Sequence, residues 1–317
     1  MPQYLRKLFQ KQTTYGAIDL GSNAMRSLIA RRDGDELSVI KSFRVPLRLG
    51  EDVFNGGFLS PKKMEATENA FIELFHAFAS YGVTEVRAMA TSAMRDAING
   101  PELTERILKS TGIEIEIIRG KEEARIICQA VKSQLDFQNY DVLLMDIGGG
   151  STELTLLSQG EIVGVKSFNV GTVRLLHYKN QTELEKKIDF ELERMLTFIR
   201  EHFGKRRPEY FVGTGGNLRR IGKIRKKTLG RPTSQLATFS EISHMEDIIL
   251  SMSYVERIRG LELTENQADV ILPATMLTQK LMQKLNLTEI LLPKVGLKEG
   301  ILLSMLEAPP KKFNLLD

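Results

Sequence analysis

One pattern occurs twice in this chain, and it constrains the fold more than any other feature. In the first copy an apolar segment, Tyr15-Gly16-Ala17-Ile18, reaches Asp19, turns through Gly21-Ser22-Asn23 and leaves through Ala24 to Ala30. In the second, Val142 to Met145 reaches Asp146, turns through Gly148-Gly149-Gly150-Ser151 and leaves through Thr152 and Glu153 to Leu157. The two aspartates stand 127 residues apart (146 minus 19), so each copy has the size of a domain. Polar turns follow at the same remove, Arg32-Asp33-Gly34-Asp35 and Ser158-Gln159-Gly160-Glu161. A third β-rich stretch comes next in both copies, Glu36 to Phe43 and Glu161 to Phe168.

After these strands each copy alternates between helix and strand. Phe71, Leu74, Phe75 and Phe78 recur at helical spacing within Pro61 to Ser80. A strand at Glu85 to Met89, a helix from near Ser92, a strand at Ile113 to Ile118 and a helix from Lys121 to about Leu135 complete the first half. The second half continues with a helix at Glu183 to Phe203, a strand at Tyr210 to Val212 and a helix from about Asn217. Helices near Glu241 to Ile258 and Thr264 to Leu285 follow, the latter opened by a Thr264/Gln267 capping box. A strand at Glu289 to Leu292 and a last helix from Gly296 close the chain. Three antiparallel strands followed by alternating α and β make a ribonuclease-H-like unit, present here twice. The expected division is 1–135 and 136–317, with a hinge near Ser133 to Tyr140. By analogy with folds in which two such lobes share a cleft, the terminal helix, about 297–307, is expected to cross back to the first.

The Gly-containing turns are where chemistry is expected. A tight turn of Gly, Ser and Asn lets backbone N–H groups converge on an anion, and an aspartate at the strand end can hold Mg²⁺ against phosphate oxygens. A third turn, Gly213-Thr214-Gly215-Gly216-Asn217, joins a strand to a helix and suits another phosphate contact, a plain βα turn being the alternative. Thr91-Ser92 and Arg95 lie at a further strand-to-helix junction, where an arginine can fork onto phosphate or merely pair with a carboxylate. In Arg119-Gly120-Lys121-Glu122-Glu123-Ala124-Arg125 two carboxylates open a helix. Capping alone would explain them, and only one need ready a water molecule.

Composition narrows the classes. Hydrophobic residues at 42% and charged residues at 26% suit a soluble globular protein. No apolar run approaches the roughly 20 residues that span a bilayer, and Met1 to Thr14 lacks the apolar core of a signal peptide. The single cysteine, Cys128, excludes an internal disulfide and suits the cytoplasm. The four histidines, His76, His177, His202 and His244, have no metal-type spacing, which argues against zinc. A net charge of +4 favours anionic partners only mildly. Basic clusters at Lys205-Arg206-Arg207 and Arg219 to Lys227 read first as solvated faces.

With these motifs in hand the chain resembles the Ppx/GppA family of exopolyphosphatases and guanosine pentaphosphate phosphohydrolases, from about Tyr15 to Leu303. The carriers are Asp19 to Asn23, Ala90 to Arg95, Gly120 to Arg125, Asp146 to Glu153 and Gly213 to Gly216, in that order. The resemblance implies two ribonuclease-H-like lobes of the actin-like ATPase superfold with a cleft between them. It implies Glu123 as catalytic base, and Asp146 and Glu153 as positions that bind Mg²⁺ (or Mn²⁺) or activate water. The phosphate contacts it implies are Gly21, Ser22, Asn23, Arg26, Ser92 and Arg95 from the first copy, and Gly148, Gly149, Ser151, Gly213, Gly215 and Gly216 from the second. Arg119 and Lys298 are further candidate substrate contacts. Ala24, Gln267 and Lys298 depart from the family pattern, Ala24 losing a hydroxyl and the other two replacing arginine.

The expected substrate is inorganic polyphosphate, with pppGpp as the close alternative using the same chemistry. A kinase of the same superfold and a guanine-nucleotide sensor without turnover are the other readings. Neither a nucleic acid nor a membrane is an expected partner, and a homodimer is left open.

Overall fold

A computed structural model describes residues 13–33, 36–178 and 180–307. The chain divides into two compact units, one of Met1–Ile118 with Leu297–Asp317 and the other of Arg119–Gly296.

The first unit is built on β1 (Thr13–Leu20), β2 (Ala24–Asp33) and β3 (Glu36–Pro46), followed by α1 (Leu49–Gly56) and α2 (Pro61–Ser80). Then come β4 (Glu85–Ala90), α3 (Ser92–Asp96), α4 (Gly100–Thr111) and β5 (Ile115–Ile117). Sheet order is β3-β2-β1-β4-β5, the first three antiparallel and β4 and β5 parallel to β1. The helices start where capping chemistry allows: Ser60 accepts from the Lys63 N–H and Pro61 occupies the first turn of α2, where its missing N–H costs nothing.

The second unit repeats the plan. It opens with α5 (Gly120–Lys132), then β6 (Asp141–Ile147), β7 (Thr152–Ser158), β8 (Glu161–Phe168), α6 (Gln181–Phe203), β9 (Tyr210–Thr214) and α7 (Gly216–Thr228). It continues with β10 (Leu236–Thr238), α8 (Phe239–Ser251), α9 (Tyr254–Gly260), α10 (Glu265–Ala268), α11 (Ile271–Leu285) and β11 (Glu289–Leu291). The last helix, α12 (Leu297–Glu307), returns to the first unit. Sheet order is β10-β11-β9-β6-β7-β8. Counting from β6, its strands stand in the order of the first sheet, with β10 added at the far edge. Both are the ribonuclease-H-like arrangement expected from the repeat.

Alternation along the central strands decides what each face carries. In the first sheet Ile18 and Leu20 of β1 join Phe71, Leu74 and Phe78 of α2 and Leu103 and Ile107 of α4 in one core. α12 packs on β1, β2 and β4, with Ile301 fully buried. Arg87 of β4 forks onto Glu116 of β5 at 3.0 Å and reaches Ser304 of α12 at 2.8 Å. In the second sheet Leu143, Met145 and Ile147 of β6 and Leu154 and Leu156 of β7 face the large core shared with α6, α7, α8 and α11. Val142, Leu144 and Asp146 point the other way, to the face on which α5 lies.

The contacts divide the chain between Ile118 and Arg119, ahead of the expected hinge. The apolar stripe of α5, Ile127, Ala130 and Val131, is buried against β7 and β8 of the second unit. Two expected long helices are each broken. Ser253 starts α9 with its own capping box to Glu256, interrupting the segment read as Glu241 to Ile258. Pro273 cannot donate to the turn before it, so the segment from Thr264 splits into α10 and α11. The Thr264/Gln267 capping box is present, and it commits Gln267 to the Thr264 N–H at 3.1 Å. α1 and β10 have no counterpart in the sequence reading.

Two outcomes follow from this packing. Ile301→Asp places a carboxylate against β1 and should cost at least about 3 kcal/mol, read as a lower urea midpoint with faster amide exchange in β1 and β4. Burial pushes the Cys128 thiol up to about 11, against the pull of Lys132. At pH 8 only about 0.1% is thiolate, so a disulfide reagent should label Cys128 on unfolding and not before.

Candidate active site

The second unit concentrates acid at one end of its sheet. Asp146 and Glu153 are direct cross-strand partners on β6 and β7, so their side chains emerge side by side. Both are buried. Glu123 stands in the first turn of α5, four residues ahead of Ile127 and therefore on the stripe that faces the sheet. Glu122, one residue earlier, is exposed while Glu123 is buried, so the helix start itself separates a capping carboxylate from one aimed inward. Ligand atoms of Glu123, Asp146 and Glu153 lie within 4.8 Å of one another. Three carboxylates this close oppose one another's charge, and a divalent cation relieves that opposition. The donors are all hard oxygens, with no histidine or cysteine among them, a set that hard divalent cations such as Mg²⁺ and Mn²⁺ favour.

Hydroxyls hold the carboxylates in place. Ser167 of β8 donates to Glu153 Oε1 at 2.7 Å, and Thr214 at the end of β9 donates to Asp146 Oδ1 at 2.6 Å. Gly120 explains how α5 comes so near: a Cβ there would lie 2.5 Å from Ser167 Cβ and 3.4 Å from Glu153 Oε1. Any larger residue would lift Glu123 off the cluster.

The turn between β6 and β7 is braced from behind. Gly148 C=O accepts from the Thr172 N–H at 3.0 Å, and Gly149 C=O accepts from the N–H groups of Val173 and Arg174 at 2.8 and 3.0 Å. Gly150 C=O accepts from Arg174 Nε at 2.8 Å. A planar trans peptide sets each N–H opposite the preceding C=O, so the N–H groups of Gly149 and Gly150 turn away from this brace. Successive N–H groups turned one way form an anion cradle. Gly171 permits the brace, because a Cβ there would stand 2.4 Å from the Gly150 backbone. Ser151 closes the hairpin by accepting from the Gly148 N–H at 3.0 Å. Gly213 precedes Thr214, the last residue of β9; Gly215 follows it and Gly216 opens α7, whose Asn217 donates to Thr172 Oγ1 at 3.0 Å. Arg119 is the exposed residue that precedes α5.

The first unit gathers the other residues singled out from sequence. Asp19 pairs with Arg26 at 3.4 Å, its direct neighbour on β2. Ser22 Oγ lies 2.9 Å from Ser92 Oγ and accepts from the Ala93 N–H at 3.2 Å, which ties the first hairpin to the start of α3. The carbonyls of Ser22 and Asn23 accept from the N–H groups of Gly50 and Arg48 at 2.9 and 3.1 Å. By the same peptide geometry the Asn23 N–H is turned to the opposite side. Gly21 donates its N–H to Ala24 C=O at 3.2 Å and so closes this hairpin as Gly148 closes the other. Arg95 donates to the Ile118 carbonyl at 2.8 Å, and Lys298 donates to Ser42 Oγ at 3.1 Å beside Glu299. Ser167, Thr172, Arg174, Gly171 and Thr214 take part in the second unit's site without having been singled out from the sequence. The segment Asn169 to Arg174, which follows the third strand of the second copy, contains three of them, Gly171, Thr172 and Arg174.

A model of the Ppx/GppA phosphatase family matches residues 28–308. The protein called exopolyphosphatase 1 in Mycobacterium tuberculosis is 25% identical over 316 residues, covering 95% of this chain and 91% of that protein. A crystal structure described as an exopolyphosphatase from Cytophaga hutchinsonii superposes with a TM-score of 0.87 at 23% identity, covering 93% of this chain and 98% of its own, a likeness of fold. A member of the Ppx/GppA family from Aquifex aeolicus superposes with a TM-score of 0.77 at 26% identity, covering 94% of this chain and 98% of its own.

The geometry makes cation binding measurable without any substrate. Asp146→Asn should abolish Mn²⁺ binding in calorimetry, whereas Ser167→Ala, which only releases Glu153 from its donor, should weaken it by about tenfold.

Proposed function

The chain belongs to the Ppx/GppA phosphatase family, and from that membership we propose that it is an exopolyphosphatase, releasing phosphate from the end of inorganic polyphosphate. The observation that carries the reading is one buried cluster, Glu123 with Asp146 and Glu153, beside a turn whose N–H groups suit an anion. The exopolyphosphatase name carried by the mycobacterial relative supports the substrate, at modest identity.

In this mechanism Glu123 orients a water molecule and takes its proton as the oxygen attacks the terminal phosphorus. The bridging P–O bond breaks, and the shortened chain leaves as a stable phosphate anion, so no covalent enzyme intermediate is needed. The N–H groups of Gly149 and Gly150 receive the phosphate oxygens, where they stabilise the spread negative charge. Asp146 and Glu153 would hold a Mg²⁺ or Mn²⁺ ion, which supplies Lewis acidity and charge neutralisation at those oxygens. Thr214 and Ser167 keep the two carboxylates oriented. The phosphate-contact roles of Gly21, Ser22, Asn23, Arg26, Ser92 and Arg95, and of Ser151, Gly213, Gly215 and Gly216, belong to the same proposal, as do substrate contacts from Arg119 and Lys298. A cytoplasmic setting belongs to it too, since Cys128 has no second cysteine to pair with.

Phosphate release from polyphosphate and from pppGpp, compared as kcat/KM, tests the substrate; a higher value on pppGpp would replace polyphosphate, and tight nucleotide binding without release would replace the enzyme with a sensor. EDTA should silence the reaction and Mg²⁺ restore it. Glu123→Gln should lower kcat by about 10²- to 10⁴-fold with KM little changed. Full turnover in that variant would remove Glu123 from the role of base.

A further inference from the structure

The basic run in the second unit is not absorbed by the site just described, although its helix starts there. α7 begins directly after the turn that holds Asp146. Thr214 donates to that carboxylate, and a Cβ on Gly215 would lie 3.3 Å from Asp146 Oδ1. From this point the helix runs away from the acidic cluster, and its two faces differ sharply. Leu218, Ile221 and Ile224 enter the core. Arg225 is buried with them and is committed to Glu241 at 2.6 Å and to the Thr233 carbonyl at 2.5 Å.

Arg219, Arg220, Lys223, Lys226 and Lys227 occupy the other side. At 3.6 residues per turn all five fall within about a third of the helix circumference. Lys223, Lys226 and Lys227 are exposed, and Arg219 and Arg220 half-buried. Lys227 pairs with Glu262, whose carboxyl is held below its usual range first by Lys227 and also by Arg220. Among the described residues no carboxylate forms an ion pair with Lys223 or Lys226. Arg220, Lys223, Lys226 and Lys227 against one glutamate leave a row of positive charge, about 10 Å long from Arg220 to Lys227 at 1.5 Å per residue.

Such a row fits an extended anion with a charge at every repeat. α7 carries no aromatic side chain, and the chain has no tryptophan, so bases would find nothing on this face to stack on. A chain of phosphates without bases needs no such platform. We propose that the basic face of α7 is a binding track for the part of a polyphosphate chain that lies beyond its reacting end. The proposal rests on the exopolyphosphatase reading and adds to it a basis for preferring long chains: a chain of three phosphates ends near the cluster, whereas a long one continues along the helix.

The test is a charge reversal, Lys223→Glu with Lys226→Glu, beside a control reversal, Lys205→Glu with Arg207→Glu. The control positions are exposed and precede β9, at the end of that strand away from Thr214. Steady-state kinetics on long-chain polyphosphate and on tripolyphosphate give the ratio of the two KM values. That ratio should rise by about tenfold or more in the α7 variant, and the salt dependence of long-chain binding should flatten by roughly one unit per lysine lost. The control variant should leave the ratio where it was. An unchanged ratio in the α7 variant, or an equal rise in the control, overturns the track.

Direct binding of long-chain polyphosphate in EDTA separates the binding track from phosphate release. If the unmodified protein releases no phosphate from either substrate, the exopolyphosphatase reading fails. The track then stands or falls on whether the α7 reversal, and not the control, removes long-chain binding. Single-stranded RNA competing as well as polyphosphate at equal phosphate concentration would overturn the assignment of the occupant.

Discussion

Asp146 and Glu153 face each other across adjacent strands, and the organisation of the second unit follows from that unfavourable contact. Like charges directly opposite in a sheet destabilise it, and burial removes the water that would screen them. Here the pair is joined by a third carboxylate, Glu123, carried in on a helix whose apolar stripe is anchored below. The hydrophobic packing of Ile127, Ala130 and Val131 holds the acid in place, so its position does not depend on any attraction within the cluster. Ser167 and Thr214 each give one donor to the pair, which orients the carboxylates. Three carboxylates gathered within 4.8 Å of one another form a site where a divalent cation would be favoured.

The turn beside this cluster obtains its character from behind. Thr172, Val173 and Arg174 occupy the carbonyls of Gly148, Gly149 and Gly150, and peptide planarity does the rest. A loop of three glycines would otherwise sample many conformations, and its ordering entropy would fall on ligand binding. Bracing from the segment after β8 moves that cost to folding. The closeness of Gly171 is the condition for it: the two backbones touch where any side chain would separate them. Gly171→Ala therefore acts on the cradle without removing any group that meets a ligand.

Much of this was legible in the sequence, because it resides in local pattern. The strand-Asp-turn repeat, spaced by a domain length, announced two sheets of one topology, and both have it. The choice of Glu123 over Glu122 was implied by resemblance, and helical phase gives it a physical reason: only Glu123 shares a face with Ile127. Ser167 and Thr214 could not be read in this way. Their partners are set by the register of β8 on β7 and of β9 on β6, which no stretch of sequence displays. The boundary of the units moved for a related reason. α5 follows the last strand of the first sheet in the chain, yet its apolar stripe packs on the second, and sequence order gives no warning of that. The broken helices were legible in principle, since Ser253-x-x-Glu256 and Pro273 are recognised stop and start signals that the apolar periodicity masked.

The two copies of the hairpin show how one scaffold supports unlike roles. Asp19 and Asp146 hold the same place on the central strands, and the partner opposite each is Arg26 in one sheet and Glu153 in the other, at the same 127-residue spacing. An aspartate answered by arginine meets positive charge within its own hairpin. An aspartate answered by glutamate stands beside like charge, an arrangement that favours a divalent cation. The exchange of one side chain at one register position therefore separates a hairpin whose aspartate is paired with a cationic side chain from one whose aspartate joins a cluster of carboxylates. The carbonyl bracing common to both turns, from Arg48 and Gly50 in one and from Thr172 to Arg174 in the other, indicates that the cradle belongs to the shared scaffold and the charge at its base is the part that differs.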